Sequence, residues 1–195
     1  MPRISQPGPR QKFLSAVAAV LATGLVVSAC SDDPNAHNEA DIVYASHLIS
    51  HHAQTLQILD LSVGRDELTS KAGALADRTR TMRWDEVAAA RKWLKTWGER
   101  IPKTALEHTH SDEPPEYDTA IPGVVTHEQM LRLQKSKPKS FLRDWLDTLI
   151  RHEEGAAELA AKAAASAENE DLAEFARKDE RSHQQQVKQL KALLA

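Results

Sequence analysis

Apolar and polar positions divide this chain into one short apolar run and several long amphipathic stretches. Phe13 to Ala29 is uncharged and apolar, behind a start that carries Arg3, Arg10 and Lys12 and no acid. Beyond Asn35, apolar residues recur at three- and four-residue spacing, which predicts helices. Prolines punctuate them: there is none between Asn35 and Ile101 and none after Pro138. Because proline breaks helix interiors, two long helical regions flank one irregular connection from Glu99 to Val125. Gly64 splits the first region into a helix near 39–63 and a second that opens at Asp66 and Glu67 and runs to Gly98. Thr126 to Gln129 reads as a capping box for a short helix. Two more helices follow, from about Ser140 to Ser166 and from Asn169 to the end.

The halves resemble each other. His47 to His52 aligns with Thr148 to Glu153, and Glu86-Val87 aligns with Gln186-Val187. A helical hairpin used twice and joined by a long crossover predicts an all-α, ferritin-like four-helix bundle. The expected organisation is a signal peptide over residues 1–29, a tether over 30–38 and a helical domain over 39–195. Within that domain, 39–98 is hairpin one, 99–137 the crossover and 138–195 hairpin two.

A basic start, a short apolar run and small residues before a cut describe a secretory signal. The ending Val27-Ser28-Ala29-Cys30 resembles the bacterial lipobox, in which the cysteine is acylated and becomes the new N-terminus. Cys30 is the chain's one cysteine, so an intramolecular disulfide is excluded. The expectation is an exported lipoprotein, held through the Cys30 lipid on the extracytoplasmic side of the membrane. Removing residues 1–29 takes away three basic residues and no acid, which moves the formal charge from −3 to −6. An acidic domain argues against nucleic acid as a partner, since that needs a clustered basic face. Oligomeric state leaves no mark on the sequence.

Each long helix places titratable groups where a bundle normally places leucine. His52 falls near the middle of the first apolar face, with His47 and His51 on its flank. Glu86 lies on the second face with Arg83 at its edge. Glu153 lies on the third with His152 beside it. His183 is central to the fourth, with Asp179 close by. Unpaired buried charge costs several kcal/mol, so these groups need partners. A divalent metal, Cu, Zn or Fe, is one solution, with ligands drawn from His47, His51, His52, Glu86, His152, Glu153 and His183. An ion-pair layer with Arg83 as its cation is the other. Gly155, in mid-helix beside Glu153, suggests a close approach of a neighbouring helix. His108 and His110, among acids in the crossover, read as a solvated loop. Trp93 and Trp97 read as packing.

Taken together, Asp41 to Leu59, Leu75 to Gly98, Ile121-Pro122-Gly123 with Glu128-Gln129-Met130, and Phe141 to Ala160 resemble the domain of unknown function 305 family. The stretch from Leu172 to Ala195 is a looser match. The resemblance implies an exported, ferritin-like helical protein and, as in some members, periplasmic copper binding in support of copper tolerance. The chain departs from the family's methionine pattern. His47-Leu48 and Thr148-Leu149 stand where Met-Met is common, His152-Glu153 where the second His-His is, and Ala90 and Leu190 at late methionine positions. Arg83 and His183 replace family glutamines. Thioether favours Cu(I); the nitrogen and oxygen donors here suit Cu(II), Zn or Fe. The expected function is metal buffering or tolerance without turnover. A metal-free envelope scaffold is the alternative. A di-metal oxidase needs two Glu-x-x-His motifs on its helices, and on the long helices predicted here only Glu180 to His183 supplies one.

Overall fold

The computed structural model describes residues 33, 35–103 and 117–195; the signal segment, Cys30, His108 and His110 lie outside them. Five helices account for more than half of the chain: α1 (Glu39–Asp60), α2 (Ser70–Trp97), α3 (His127–Gln134), α4 (Pro138–Ser166) and α5 (Glu170–Leu194). There is no strand among the described residues, so the expected all-α class holds. Helices α1 and α2 pack as one hairpin and α4 and α5 as the other, with α1 against α4 between them. No helix among the described residues is long and apolar enough to cross a membrane.

Local chemistry sets the ends. Asn38 caps α1 through a box with Asp41, and Thr126 and Gln129 form the expected box on α3. Helix α1 ends at Asp60 rather than Val63, which is 71% exposed in the turn before Gly64. Helix α2 starts at Ser70 rather than Asp66. The Thr69 hydroxyl accepts from Ala72 N at 3.2 Å and so defines the N-cap, while Asp66 and Glu67 remain in the preceding turn. At the far end Gly98 adopts φ +75°, and its N–H and that of Glu99 return to the carbonyls of the last turn. Helix α4 starts at Pro138, ahead of the expected Ser140, since proline at the first helical position gives up no hydrogen bond.

One buried carboxylate ties the two hairpins together at their shared end. Asp41, fully buried, accepts from Asn38 N at 2.8 Å and from Glu168 N at 3.0 Å and Asn169 N at 3.3 Å, in the turn between α4 and α5. Asn169 donates to Ala36 O and Asn38 to Ser166 O. His37 stacks on Trp97 with ring centres 4.6 Å apart. Trp93 meets Trp97 and Phe175, so these tryptophans do pack rather than face solvent alone.

The core is apolar at both ends and polar in the middle. One cluster gathers Tyr44, Leu48, Ile49, Val87, Leu94, Leu159 and Leu172. The other gathers Ile58, Leu59, Leu75, Phe141, Trp145, Leu149 and Leu190. Between them every long helix contributes buried polar side chains: His51, His52 and Thr55; Thr79 and Arg83; His152 and Glu153; Asp179, His183 and Gln186.

Candidate metal centre

Arg83 organises this layer. Its guanidinium is fully buried on α2. Nη1 donates to Glu86 Oε2 at 2.6 Å; Nη2 donates to Glu153 Oε2 at 2.7 Å and Gln186 Oε1 at 2.5 Å. Gln186 turns its amide nitrogen to the Thr79 hydroxyl, which fixes its oxygen toward Arg83. Burial disfavours the charged form of Glu153, but the Arg83 and His183 charges outweigh it and hold its carboxyl at about 2.

His183 bridges two carboxylates. Its Nδ1 donates to Glu153 Oε2 at 2.5 Å, and its Nε2 lies 3.1 Å from Asp179 Oδ1, one turn earlier on α5. Burial and Arg83 push the imidazole toward its neutral form. Asp179 and Glu153 more than offset them and raise it to about 9. Asp179 in turn accepts the Tyr44 hydroxyl at 2.8 Å through Oδ2. Burial raises its pKa, yet His183, His52 and Arg83 hold it well below the usual carboxylate range.

His52 approaches from α1. Its Nε2 is 2.9 Å from Glu86 Oε2, and its ring centre is 5.6 Å from that of His183. Burial, then Arg83, lowers its pKa despite Glu86. His52, Asp179 and His183 each offer a ligand atom, and these atoms lie within 4.8 Å of one another. His183 Nε2, Asp179 Oδ1 and both His52 nitrogens are buried without an aligned hydrogen bond. The short His183–Asp179 and His52–Glu86 distances are therefore close approaches with poor angles, as expected of groups that converge on a common point. The Glu153–His183 contact supplies the outer carboxylate that metal-ligating histidines commonly have. Nitrogen and oxygen donors of this kind fit a divalent cation of borderline hardness.

The other expected ligands are placed differently. His152 is committed to the fold. Its Nδ1 lies 2.9 Å from Gly123 O in the crossover, and its Nε2 lies 2.9 Å from the Thr55 hydroxyl. Nε2 also lies 3.2 Å from His51 O, so both ring nitrogens face oxygens of the fold and neither is spare. Burial takes this group down to about 4. His51 stacks on the His152 ring at 3.8 Å, and both its nitrogens are buried without a protein partner among the described residues. Burial first, then His152, lowers its pKa well below the normal imidazole value. Glu153 holds His183 through Nδ1 and pairs with Arg83, and is not itself among the three converging ligand groups. Glu86, 15% exposed, is the layer's contact with solvent. His47 is half-buried on the outside of α1, in a groove with Glu158 and Lys162, away from the layer. Helical phase puts Asp179 only beside the apolar stripe, whereas the structure makes it a member of the cluster. Its i,i+4 relation to His183 was the available signal.

Gly155 also differs from expectation. It admits the crossover, not a helix. A Cβ there would run into the backbone of Pro122 and Gly123, and a Cβ on Gly123 would come 2.7 Å from His152 O.

A doubled helical hairpin with a buried polar layer at its centre is the class that this geometry defines. The chain belongs to the family described as a domain of unknown function (DUF305), whose model matches residues 41–194. Its fold is similar to a DUF305 fragment from Deinococcus radiodurans, with a TM-score of 0.67 at 17% identity over 80% of this chain and 96% of that one. It is also similar to a DUF305 protein from Streptomyces coelicolor thought to be secreted, with a TM-score of 0.65 at 22% identity over 80% and 90%. A third similar structure is CopM in its Cu(II)-bound form, with a TM-score of 0.60 at 16% identity over 78% and 94%. Among curated proteins none matches the chain.

Proposed function

We propose that this chain is an extracytoplasmic metal-binding protein that buffers a divalent ion, copper among the candidates, without catalytic turnover, and that the Cys30 lipid anchors it to the membrane. The observation that carries the reading is the buried convergence of His52, Asp179 and His183. Charge supports it. With His183 neutral, Glu86, Glu153 and Asp179 oppose Arg83 alone, which leaves two negative charges in a buried layer. One divalent cation neutralises them. Binding would release the proton that His183 otherwise holds. The methionines do not compete as ligands: Met130 sits in an apolar cluster and Met82 is 37% exposed. That favours Cu(II), Zn or Fe over Cu(I). The copper-bound relative and the relative thought to be secreted support metal binding outside the cytoplasm, as does the signal-like N-terminus. An oxidase is disfavoured because α2 offers Arg83 where α5 offers His183, so the second histidine of a di-metal centre is missing.

The test is calorimetric titration of the purified, chelator-stripped protein with Cu(II) and with Zn, beside a His52→Ala/Asp179→Ala/His183→Ala variant. The variant is expected to lose about two orders of magnitude in affinity or more, and binding by the wild type should release protons to buffer. Equal affinity in a folded variant would refute the assignment. A second reading has its own observation: Arg83 already bridges Glu86 and Glu153, so the layer can serve as an ion-pair network in a metal-free envelope scaffold. In that case the wild type takes up neither ion, and His183→Leu destabilises the fold by about 3 kcal/mol or more because it strands the buried Asp179 carboxylate.

A further inference from the structure

The repeat makes the polar layer a comparison of one site with its own mirror image. His51 pairs with His152 at an offset of 101, and Arg83 with His183 at an offset of 100. The same offsets relate His52 to Glu153, Thr79 to Asp179 and Glu86 to Gln186. Core positions obey them too: Leu48 with Leu149, Ile49 with Ile150, Ala76 with Ala176, Val87 with Val187 and Ala90 with Leu190 are all buried. The counterpart of the His52–Asp179–His183 cluster is therefore Glu153, Thr79 and Arg83.

That counterpart is built like a cation site, and it is filled. Carboxylate oxygens of Glu86 and Glu153 and the amide oxygen of Gln186 surround the guanidinium at 2.5–2.7 Å. The Gln186 amide is turned by Thr79 so that its oxygen, not its nitrogen, faces Arg83. Where one set of repeat positions converges three ligand atoms on a point, the related set places a permanent positive charge on a side chain.

We propose that Arg83 is a covalently attached substitute for a second metal ion, and that it sets the capacity of the bundle at one ion rather than two. This rests on the metal-binding reading above and adds to it the stoichiometry and the residue that fixes it. The charges agree. Replacing Arg83 with histidine and Thr79 with aspartate would leave four carboxylates in the layer, which two divalent ions neutralise as one ion neutralises the present layer.

The experiment is native mass spectrometry of the chelator-stripped protein reloaded with Zn or Cu(II), on the wild type, R83K and T79D/R83H, with circular dichroism to establish folding. One ion on the wild type, one on R83K and two on T79D/R83H is the expected result. Two ions on the wild type overturn the proposal, and so does a folded T79D/R83H that still binds one. If the wild type binds none but the double variant gains an ion, the metal-binding reading falls while the role of Arg83 stands. No ion on either removes both. Should T79D/R83H fail to fold, R83A decides. Millimolar guanidinium is expected to raise its melting temperature and to leave that of the wild type unchanged. A melting temperature of R83A that does not respond to guanidinium overturns the proposal.

Discussion

Gly155→Ala is expected to destabilise the protein by about 2–4 kcal/mol, although alanine is the better helix former by about 1 kcal/mol. Intrinsic preference predicts a gain; the contact predicts a loss, and the contact is larger. A Cβ at 155 meets the backbone of Pro122 and Gly123 closer than real Cβ atoms approach anything, and backbone cannot rotate aside as a side chain can. The crossover must lift. Overpacking of this kind costs about 1–3 kcal/mol. Lifting Gly123 also parts its carbonyl from His152 Nδ1, and an abandoned buried donor costs a further 1–3 kcal/mol or so. It would strain the paired bonds between the Gln54 side chain and the Val125 backbone. Gly73 is the internal control. It is a helical glycine of α2 with nothing within 4 Å of the added carbon, so Gly73→Ala should stabilise by about 0.5–1 kcal/mol. Guanidinium denaturation of both variants measures the contrast. Two gains of similar size would mean that the crossover does not press on α4.

The second large effect is a bell-shaped dependence of stability on pH in the metal-free protein. His152 is lowered to about 4 from 6.5. Its unfolded form therefore takes up a proton first as pH falls, and stability is lost between about 6.5 and 4. At about 1.4 kcal/mol per unit, this one group accounts for about 3 kcal/mol. His51 and His52 are shifted in the same direction and steepen the loss. Glu153, held at about 2 against an ordinary 4.5, extends it further into acid. His183 has the opposite sign. Raised to about 9, it contributes stability that is complete below 6.5 and fades as pH rises through 9, again by about 3 kcal/mol. The maximum should fall near pH 6.5–7, with the acid limb steeper because more groups share it. Denaturant midpoints at pH 4.5, 6.5 and 9 test this. A midpoint unchanged between 6.5 and 4.5 would show that the histidines are solvated rather than buried neutral.

Helix identity was legible because proline, glycine and capping residues act locally. Thr126, Gly98 and Asn169 mark ends whatever surrounds them. Helix α2 starts later than its acids suggest because two mechanisms compete there. Acids favour the first turn through the helix dipole, but the Thr69 hydroxyl satisfies a backbone N–H directly and decides the register. Helical phase found the polar layer, since His52, Glu153 and His183 lie where leucine would. Phase does not report which groups at one level face each other. The repeat relates His51 to His152, and the two meet as stacked rings, while the oxygen partners of His152 are a crossover carbonyl, the Thr55 hydroxyl and the His51 carbonyl. That loop contact has no periodic signal. Gly155 was visible as an oddity, while the segment it accommodates was not, because helical periodicity says nothing about where an irregular connection runs.

The three-ligand cluster draws one member from α1 and two from α5. An ion held there would be a crosslink between hairpins that are otherwise far apart along the chain. Such a link forms only in the assembled bundle, so mass action makes the ion part of the folding equilibrium. A free concentration one hundred times the dissociation constant adds about 2.7 kcal/mol, a large fraction of what typically holds a domain of this size together. Loaded and empty molecules would then differ in lifetime as well as in content: wherever proteases are present, the empty bundle would open more often and be removed first.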